Sequence, residues 1–162
     1  MKINPDRDLV IERVLKAPPN VVWRCWADPA LLCQWYMPKP WILAHAVIEL
    51  RPGGRFHLLA QSPDGQQFPN EGSILLAEPE RRLVFTDLMT EGFSPVERVS
   101  ADFGPAFTAV MTFEPSGSGT LYRTVARHAS AGDAKANAEM GWTQGTAVTG
   151  EQLDALSQGL MQ

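Results

Sequence analysis

Turn-forming residues divide the first three quarters of this chain into short segments. Glycine and proline number 13 each among 162 residues, somewhat more than the roughly 12% that average usage gives. The last proline is Pro115, and no proline follows it. Because proline and glycine interrupt helices and central strands, this distribution predicts many short elements followed by one long helix.

Seven segments alternate apolar and polar residues or are rich in β-branched residues, as β-strands are. They are Leu9–Leu15, Trp41–Leu50, Arg55–Gln61, Gly72–Ala77, Arg82–Met89, Phe107–Phe113 and Thr120–His128. Between the first two, Trp23 and Trp26 recur at helical spacing. Asp28 followed by Pro29 predicts the start of a second short helix. The segment Thr90–Ala106 has no clear period and is predicted to be a long loop.

The proline-free C-terminal segment predicts one long helix. Asp133 can cap a helix whose apolar and threonine side chains recur every two to four residues. The stripe consists of Met140, Trp142, Thr146, Thr149, Leu153, Leu156 and Leu160. A helix of about 28 residues at 1.5 Å per residue is about 40 Å long. Gly141, Gly145 and Gly150 are poor helix formers. They either permit close packing against strands or leave room beside Trp142 for a ligand.

A series of strands followed by a long helix predicts an α+β fold, with the helix against one face of an antiparallel sheet. The length predicts a single domain over residues 1–162. Fourteen basic and eighteen acidic residues give a net charge of -4, and the basic residues are scattered, which disfavours nucleic acid as a partner. The longest apolar stretch, Trp41–Leu50, is far shorter than the roughly 20 residues of a membrane span.

The N-terminus and the cysteines predict a cytoplasmic protein. Pro5, Asp6 and Asp8 stand where a secretory signal needs apolar residues. Cys25 and Cys33 match neither a disulfide framework nor the paired spacing of a zinc site. A reducing compartment would keep them as small buried apolar side chains.

Several short motifs occur in a consistent order along the chain. They are Arg13-x-x-x-Ala17-Pro18-x-x-x-Val22-Trp23, Asp28-Pro29-x-Leu31-x-x-Trp35, Arg51-Pro52-Gly53-Gly54-Arg55-Phe56, Pro63-Asp64-Gly65, Gly72-x-Ile74, Pro79-Glu80-Arg81-x-Leu83-Val84-Phe85-Thr86-Asp87 and Gly141-Trp142. Together they resemble the SRPBCC (START/Bet v 1-like) superfamily. Within it, the chain is most similar to the branch named after the activator of the heat-shock-protein-90 ATPase, from about residue 8 to the end.

The resemblance implies a helix-grip fold. In this fold a curved antiparallel sheet, here of about seven strands, wraps around the long C-terminal helix, with two short helices after the first strand. An apolar cavity lies between sheet and helix, and Thr90–Ala106 would be its variable lid. Members bind lipids, polyketides or other apolar molecules, and a few act as cyclases or hydrolases.

Nine residues are predicted to contact a ligand in such a cavity. They are Trp35, Phe56, Phe85, Asp87, Met111, Tyr122, Gly141, Trp142 and Gly145. Asp87 shares the parity of Phe85 on a strand whose inward face should be apolar, and Tyr122 and His128 share parity on the last strand. Asp87, Tyr122 and His128 are therefore candidates for orienting a ligand or moving a proton. The alternative is that Asp87 lies in solvent at the strand end and that Tyr122 only packs.

The histidines do not predict a metal site. A symmetric hairpin about Arg51–Gly54 places His45 and His57 about three positions apart, roughly 10 Å, and His128 has no ligand partner at a metal-binding spacing. No Gly-x-Ser-x-Gly motif is present, and neither cysteine has a histidine nearby in the sequence. No cofactor is predicted.

Three functions remain open from the sequence. The first is binding of a small apolar molecule that is lipid-like, polyketide-like or aromatic. The second is a cyclase- or hydrolase-type enzyme that uses polar residues in the cavity. The third is a cochaperone-like interaction protein, although no feature of the sequence supports a chaperone partner. The sequence also leaves open a homodimer.

Overall fold

A computed structural model describes residues 1–97 and 104–162. The predicted lid, Thr90–Ala106, therefore falls partly on residues 98–103, outside the described part of the chain. The elements in order are β1 (Asp8–Leu15), α1 (Pro19–Ala27), α2 (Pro29–Trp35), β2 (Ile42–Ile48), β3 (Arg55–Gln61), β4 (Gln67–Glu78), β5 (Arg82–Thr86), β6 (Met89–Thr90), a short 3-10 turn (Glu91–Phe93), β7 (Ser94–Pro95), β8 (Thr108–Ser116), β9 (Gly119–Arg127), α3 (Ala131–Glu139) and α4 (Trp142–Gly159).

Seven strands form one antiparallel sheet in the order β1-β9-β8-β5-β4-β3-β2. Strands β6 and β7 pair separately. The first strand pairs with the last long strand along its whole length, Asp8 opposite Arg127 and Leu15 opposite Thr120. The predicted α+β class and helix-grip fold are confirmed: the curved sheet covers the C-terminal helix. No helix within residues 1–97 and 104–162 has the length and hydrophobicity to cross a bilayer.

The two short helices form where the sequence predicts them. Asp28 ends α1 and caps α2, since its Oδ1 accepts a hydrogen bond from the backbone N–H of Ala30 at 2.9 Å. Pro29 follows at the first helical position, where its missing N–H costs nothing. Both helices bury tryptophans, Trp26 from α1 and Trp35 from α2. They therefore cover one end of the sheet with aromatic rings.

The register of the β2–β3 hairpin differs from the predicted one. His45 lies opposite Leu59 and Val47 lies opposite His57, whereas a bulge between Leu43 and His45 shifts only the pairs farther from the turn. The two histidines are therefore diagonal neighbours on one face of the sheet. Their ring centroids lie 5.9 Å apart, and the predicted separation of roughly 10 Å is wrong. The Glu49 N–H donates to the carbonyl oxygen of Arg55 at 2.9 Å, so the pairing is centred on Pro52, and the turn residues alone do not indicate this centre.

The prediction of one continuous C-terminal helix is also wrong. Gly141 has a φ of 97° and separates α3 from α4, because a left-handed residue ends a helix. The cap is Ser130 rather than Asp133, since Ser130 Oγ accepts a hydrogen bond from the backbone N–H of Asp133 at 3.1 Å. The 18 residues of α4 give a length of about 27 Å instead of about 40 Å.

Large apolar side chains fill the interface between the sheet and the C-terminal half of α4. Leu153 of α4 is fully buried in one cluster with Leu15, Phe113 and Trp23. After Trp142, the first half of α4 carries mainly small residues, among them Gly145, Thr146 and Thr149. Large side chains therefore support only the C-terminal half of the helix.

The turn between β2 and β3 depends on two adjacent glycines. Gly53 has a φ of 78°, a left-handed conformation that glycine adopts without the steric cost of a side chain. Gly54 has no such φ, but a Cβ at this position would collide with the backbone carbonyl oxygen of Glu49. A backbone atom cannot move aside as a side chain can, so Gly54 is required by close approach.

We expect Gly54→Ala to lower the free energy of unfolding by about 1–3 kcal/mol, because the added methyl group forces the turn apart. Gly159→Ala is the control, since that glycine is helical and its Cβ would meet nothing within 4 Å. The control should leave stability unchanged or raise it. Chemical denaturation measures both. A Gly54→Ala protein as stable as the parent would contradict the assigned turn geometry.

Candidate functional site

A cavity of about 420 Å³ lies between the sheet and the first half of α4. Residues of α1, α2, the segment after α2, β3, β4, β5, β8, β9, α3 and α4 line it. It reaches the surface beside Met140, which is 57% exposed. The volume lies within the range of about 300–1,000 Å³ that is usual for small-molecule sites.

Aromatic rings form one side of the cavity. The rings of Trp26, Trp35, Tyr36 and Phe85 all line it. The ring centroid of Trp26 lies 5.0 Å from that of Trp35, 5.6 Å from that of Tyr36 and 6.2 Å from that of Phe85. The Trp26 indole N–H donates a hydrogen bond to the hydroxyl of Tyr122 at 3.2 Å. These contacts fix the rings and give the cavity a rigid apolar surface.

Small residues keep the cavity open on the opposing sides. Ala60 and Ala109 contribute only methyl groups from the inward face of the sheet. On α4, a Cβ at Gly145 would have the Pro38 ring as its nearest contact outside the local helix, at 3.9 Å. Gly145 therefore faces free space. Of the two roles that the sequence leaves open for this glycine, the geometry favours leaving room beside Trp142.

Asp87 introduces a carboxyl group into this apolar surface. It follows the last residue of β5 and lines the cavity. Its Oδ1 accepts a hydrogen bond from the backbone N–H of Phe107 at 3.0 Å. Burial raises the pKa of Asp87 to about 6, and the hydrogen bonds from backbone N–H groups and the nearby His128 oppose the rise. The carboxyl therefore changes charge close to neutral pH.

Three residues with hydroxyl groups line the cavity together with this carboxyl: Tyr36, Tyr122 and Thr124. Burial raises the pKa of Tyr36, and electrostatic interaction with Tyr122 and Asp87 raises it further. Burial likewise raises the pKa of Tyr122 to about 12, against the effects of Thr124 and Trp26. Thr124 Oγ1 is buried beside the Tyr122 hydroxyl, but is not aligned for a hydrogen bond with any described residue. We call Tyr36, Asp87, Tyr122 and Thr124 the polar patch.

His128 does not belong to the polar patch. Its Nδ1 lies 3.0 Å from the carbonyl oxygen of Arg7, so this nitrogen donates. Its Nε2 lies 2.9 Å from the side-chain nitrogen of Asn137 and accepts from it. Asn137 lines the cavity, whereas His128 is buried behind it. The structure therefore brings Asp87 and Tyr122 to one cavity and places His128 outside its lining.

The structure places eight of the nine predicted ligand residues around the cavity. They are Trp35, Phe85, Asp87, Met111, Tyr122, Gly141, Trp142 and Gly145. Phe56 lies outside the lining because it packs behind Phe85, with ring centroids 4.4 Å apart. Sequence reasoning missed Tyr36, Thr124 and Asn137. Thr124 has the same parity as Tyr122 on β9, and that signal was available in the sequence.

The histidines of the β2–β3 hairpin lie away from the cavity. His57 Nδ1 lies 2.7 Å from Glu71 Oε1, and His45 is its diagonal neighbour. Glu71 also accepts from Arg55 at 2.6 Å, so this carboxylate has a permanent cation as partner. Within residues 1–97 and 104–162, no group of three or more His, Cys, Asp or Glu has an arrangement that could hold a metal ion.

Comparison with known proteins gives a family and several similar structures. The family model described as Activator of Hsp90 ATPase homolog 1-like protein matches residues 16–158. No curated protein matches the chain.

A crystal structure of a protein from Nitrosomonas europaea is 36% identical, with a TM-score of 0.91 over 98% of this chain and 99% of that one. A protein from Arthrobacter aurescens is 24% identical, with a TM-score of 0.81 over 98% and 90%. An AHSA1-like protein from Aeromonas hydrophila is 20% identical, with a TM-score of 0.69 over 91% and 92%. The last two likenesses show the fold alone.

The raised pKa of Asp87 predicts a pH-dependent contribution to stability. A carboxyl whose pKa rises from 3.8 to about 6 on folding stabilises the fold fully only below the lower value, and this contribution is lost as the pH rises through the higher one. Asp87→Asn removes the titration and keeps an oxygen that can accept from Phe107. The free energy of unfolding of the parent minus that of the variant should therefore fall by about 2 kcal/mol between about pH 4.5 and about pH 8.

Urea denaturation of both proteins at several pH values measures this difference. Because all other titrating groups are shared, their effects cancel in the subtraction. A difference that stays constant across the range would show that the Asp87 carboxyl is solvated like a surface group.

Proposed function

Because this chain belongs to the family of Activator of Hsp90 ATPase homolog 1-like proteins, we propose that residues 1–162 form one domain that binds a small, largely apolar molecule in the cavity between sheet and α4. The family has a ligand-binding type of fold, which supports binding in general. The observation that carries the specific proposal is the cavity of about 420 Å³. Protein interiors are normally packed without voids larger than a water molecule.

The surface of the cavity suits a flat apolar molecule. The rings of Trp26, Trp35 and Phe85 offer faces and edges for stacking, and Met111 and Trp142 line other parts of the same space. The polar patch occupies one region of this surface. A ligand with one polar group would therefore have a single preferred orientation.

The enzyme alternative has weaker support. Asp87 has a pKa near neutrality, which suits a general base. The third candidate for such chemistry, His128, has both ring nitrogens occupied by Arg7 and Asn137. Of the three candidate acid–base residues, only Asp87 and Tyr122 face the cavity. Ligand binding needs no further catalytic group, so we favour it over catalysis.

Filling part of the cavity should weaken binding. Gly145→Leu places a branched side chain in the free space beside Pro38, and we expect it to weaken the binding of naphthylmethanol, a neutral aromatic probe, by at least about ten-fold. Isothermal titration calorimetry measures affinity and stoichiometry, and the parent protein should bind one molecule.

Gly159→Leu is the matched control. It makes the same substitution on the same helix, at an exposed glycine with no neighbour within 4 Å of its Cβ. It should bind naphthylmethanol as the parent does, and both variants should show the circular dichroism of the parent. Equal weakening by the two variants, or no binding to the parent, would contradict the proposed function.

A further inference from the structure

We propose that the molecule bound in this cavity carries a protonated amine at its polar end, held by the carboxylate of Asp87. This inference rests on the proposed function, since it names the chemical class of the same ligand. It is carried by the charges, the unused hydrogen-bonding groups and the aromatic rings around the cavity.

The charges around the cavity favour a cation. Among the described residues that line it, Asp87 is the one acid, and no lysine, arginine or histidine is present. Asp87 forms no ion pair with any described residue. A ligand carboxylate would be buried next to this group without a counter-charge from the described residues, which is strongly unfavourable. An ammonium group would supply a partner that the described residues do not.

His128 is the basic residue that could serve as the cationic partner of Asp87 in place of a ligand. It lies near enough to lower the pKa of Asp87. However, its ring nitrogens are used by the Arg7 carbonyl and the Asn137 side chain, and Asn137 stands between it and the cavity. The side of Asp87 that faces the cavity therefore remains without a cation among the described residues.

The hydrogen-bonding groups of the polar patch match an ammonium donor. One oxygen of Asp87 accepts from the Phe107 N–H, and no described side chain donates to either oxygen. The hydroxyl of Tyr36 has no hydrogen-bond partner among the described residues. A primary ammonium group has three N–H donors and no acceptor, and it can use a carboxylate and hydroxyl oxygens together.

The aromatic side of the cavity adds to the preference for a cation. Trp26, Trp35, Tyr36 and Phe85 line the same space as Asp87. Aromatic faces attract cations through their quadrupole, and tryptophan does so most strongly. Rings combined with a single carboxylate therefore favour an aromatic or aliphatic amine over a neutral alcohol of the same size.

Three probes with one apolar body test this inference: naphthylmethylamine, naphthylmethanol and naphthoic acid. Calorimetry at about pH 7.5, where Asp87 is ionised and the amine is protonated, gives their affinities. The amine should bind at least about ten-fold more tightly than the alcohol, and the acid should bind at least about ten-fold more weakly than the alcohol. Asp87→Asn should remove the advantage of the amine over the alcohol, because the carboxylate that distinguishes them is gone.

Glu114→Gln is the control, because it removes one negative charge from an exposed position on β8 and should keep the ranking of the parent. If the Asp87 variant does not fold, the ranking of the three probes by the parent protein still decides. Equal affinities for amine and alcohol, or a preference for the acid, would overturn the amine assignment while leaving the proposed function intact. If none of the three probes binds, both the assignment and the proposed function fail.

Discussion

The cavity depends on the hydrogen bonds by which Gln152 holds α4 to the chain that follows α2. Its side-chain N–H groups donate to the carbonyl oxygens of Trp35 and Met37, both at 2.8 Å, and its Oε1 accepts from the N–H of Lys39 at 3.0 Å. Together with the buried Leu153, these contacts set the distance between the C-terminal half of α4 and the sheet. Because the helix is rigid, its first half must stay at that distance, although most of the residues after Trp142 are too small to fill the gap.

The same arrangement explains why a carboxyl group is tolerated inside. Asp87 lies just beyond β5, where the Phe107 N–H supplies one hydrogen bond, and the neighbouring cavity leaves its charge less costly than a fully packed core would. A raised pKa is the consequence. The polar patch is thus a local cost in stability, of the kind often found where a protein must recognise a ligand.

Much of the fold follows from local signals in the sequence, and the failures have particular causes. Asp28 and Pro29 fix the start of α2 because a cap and a preset φ act locally. The position of His45 against β3 could not be predicted, since it depends on how the turn between Glu49 and Arg55 closes, and several closures fit the same turn residues. Gly141 is a poor helix former, but the residues on both sides of it keep a helical spacing, so the sequence alone did not indicate a break in the helix. At the site, the alternation of side chains along β5 and β9 predicted Asp87 and Tyr122. Tyr36 could not be predicted in this way, because it lies just after the end of a helix, where no such alternation applies.

The central claim is that the space under the first half of α4 is a ligand site rather than an incompletely packed core. The crystal structure of the protein soaked with naphthylmethanol tests this most directly. The account predicts electron density for the rings between Met111 and Trp142, with the hydroxyl directed towards Asp87. A structure in which Trp142 and its neighbours fill the space, with the probe absent or bound elsewhere on the surface, would contradict it.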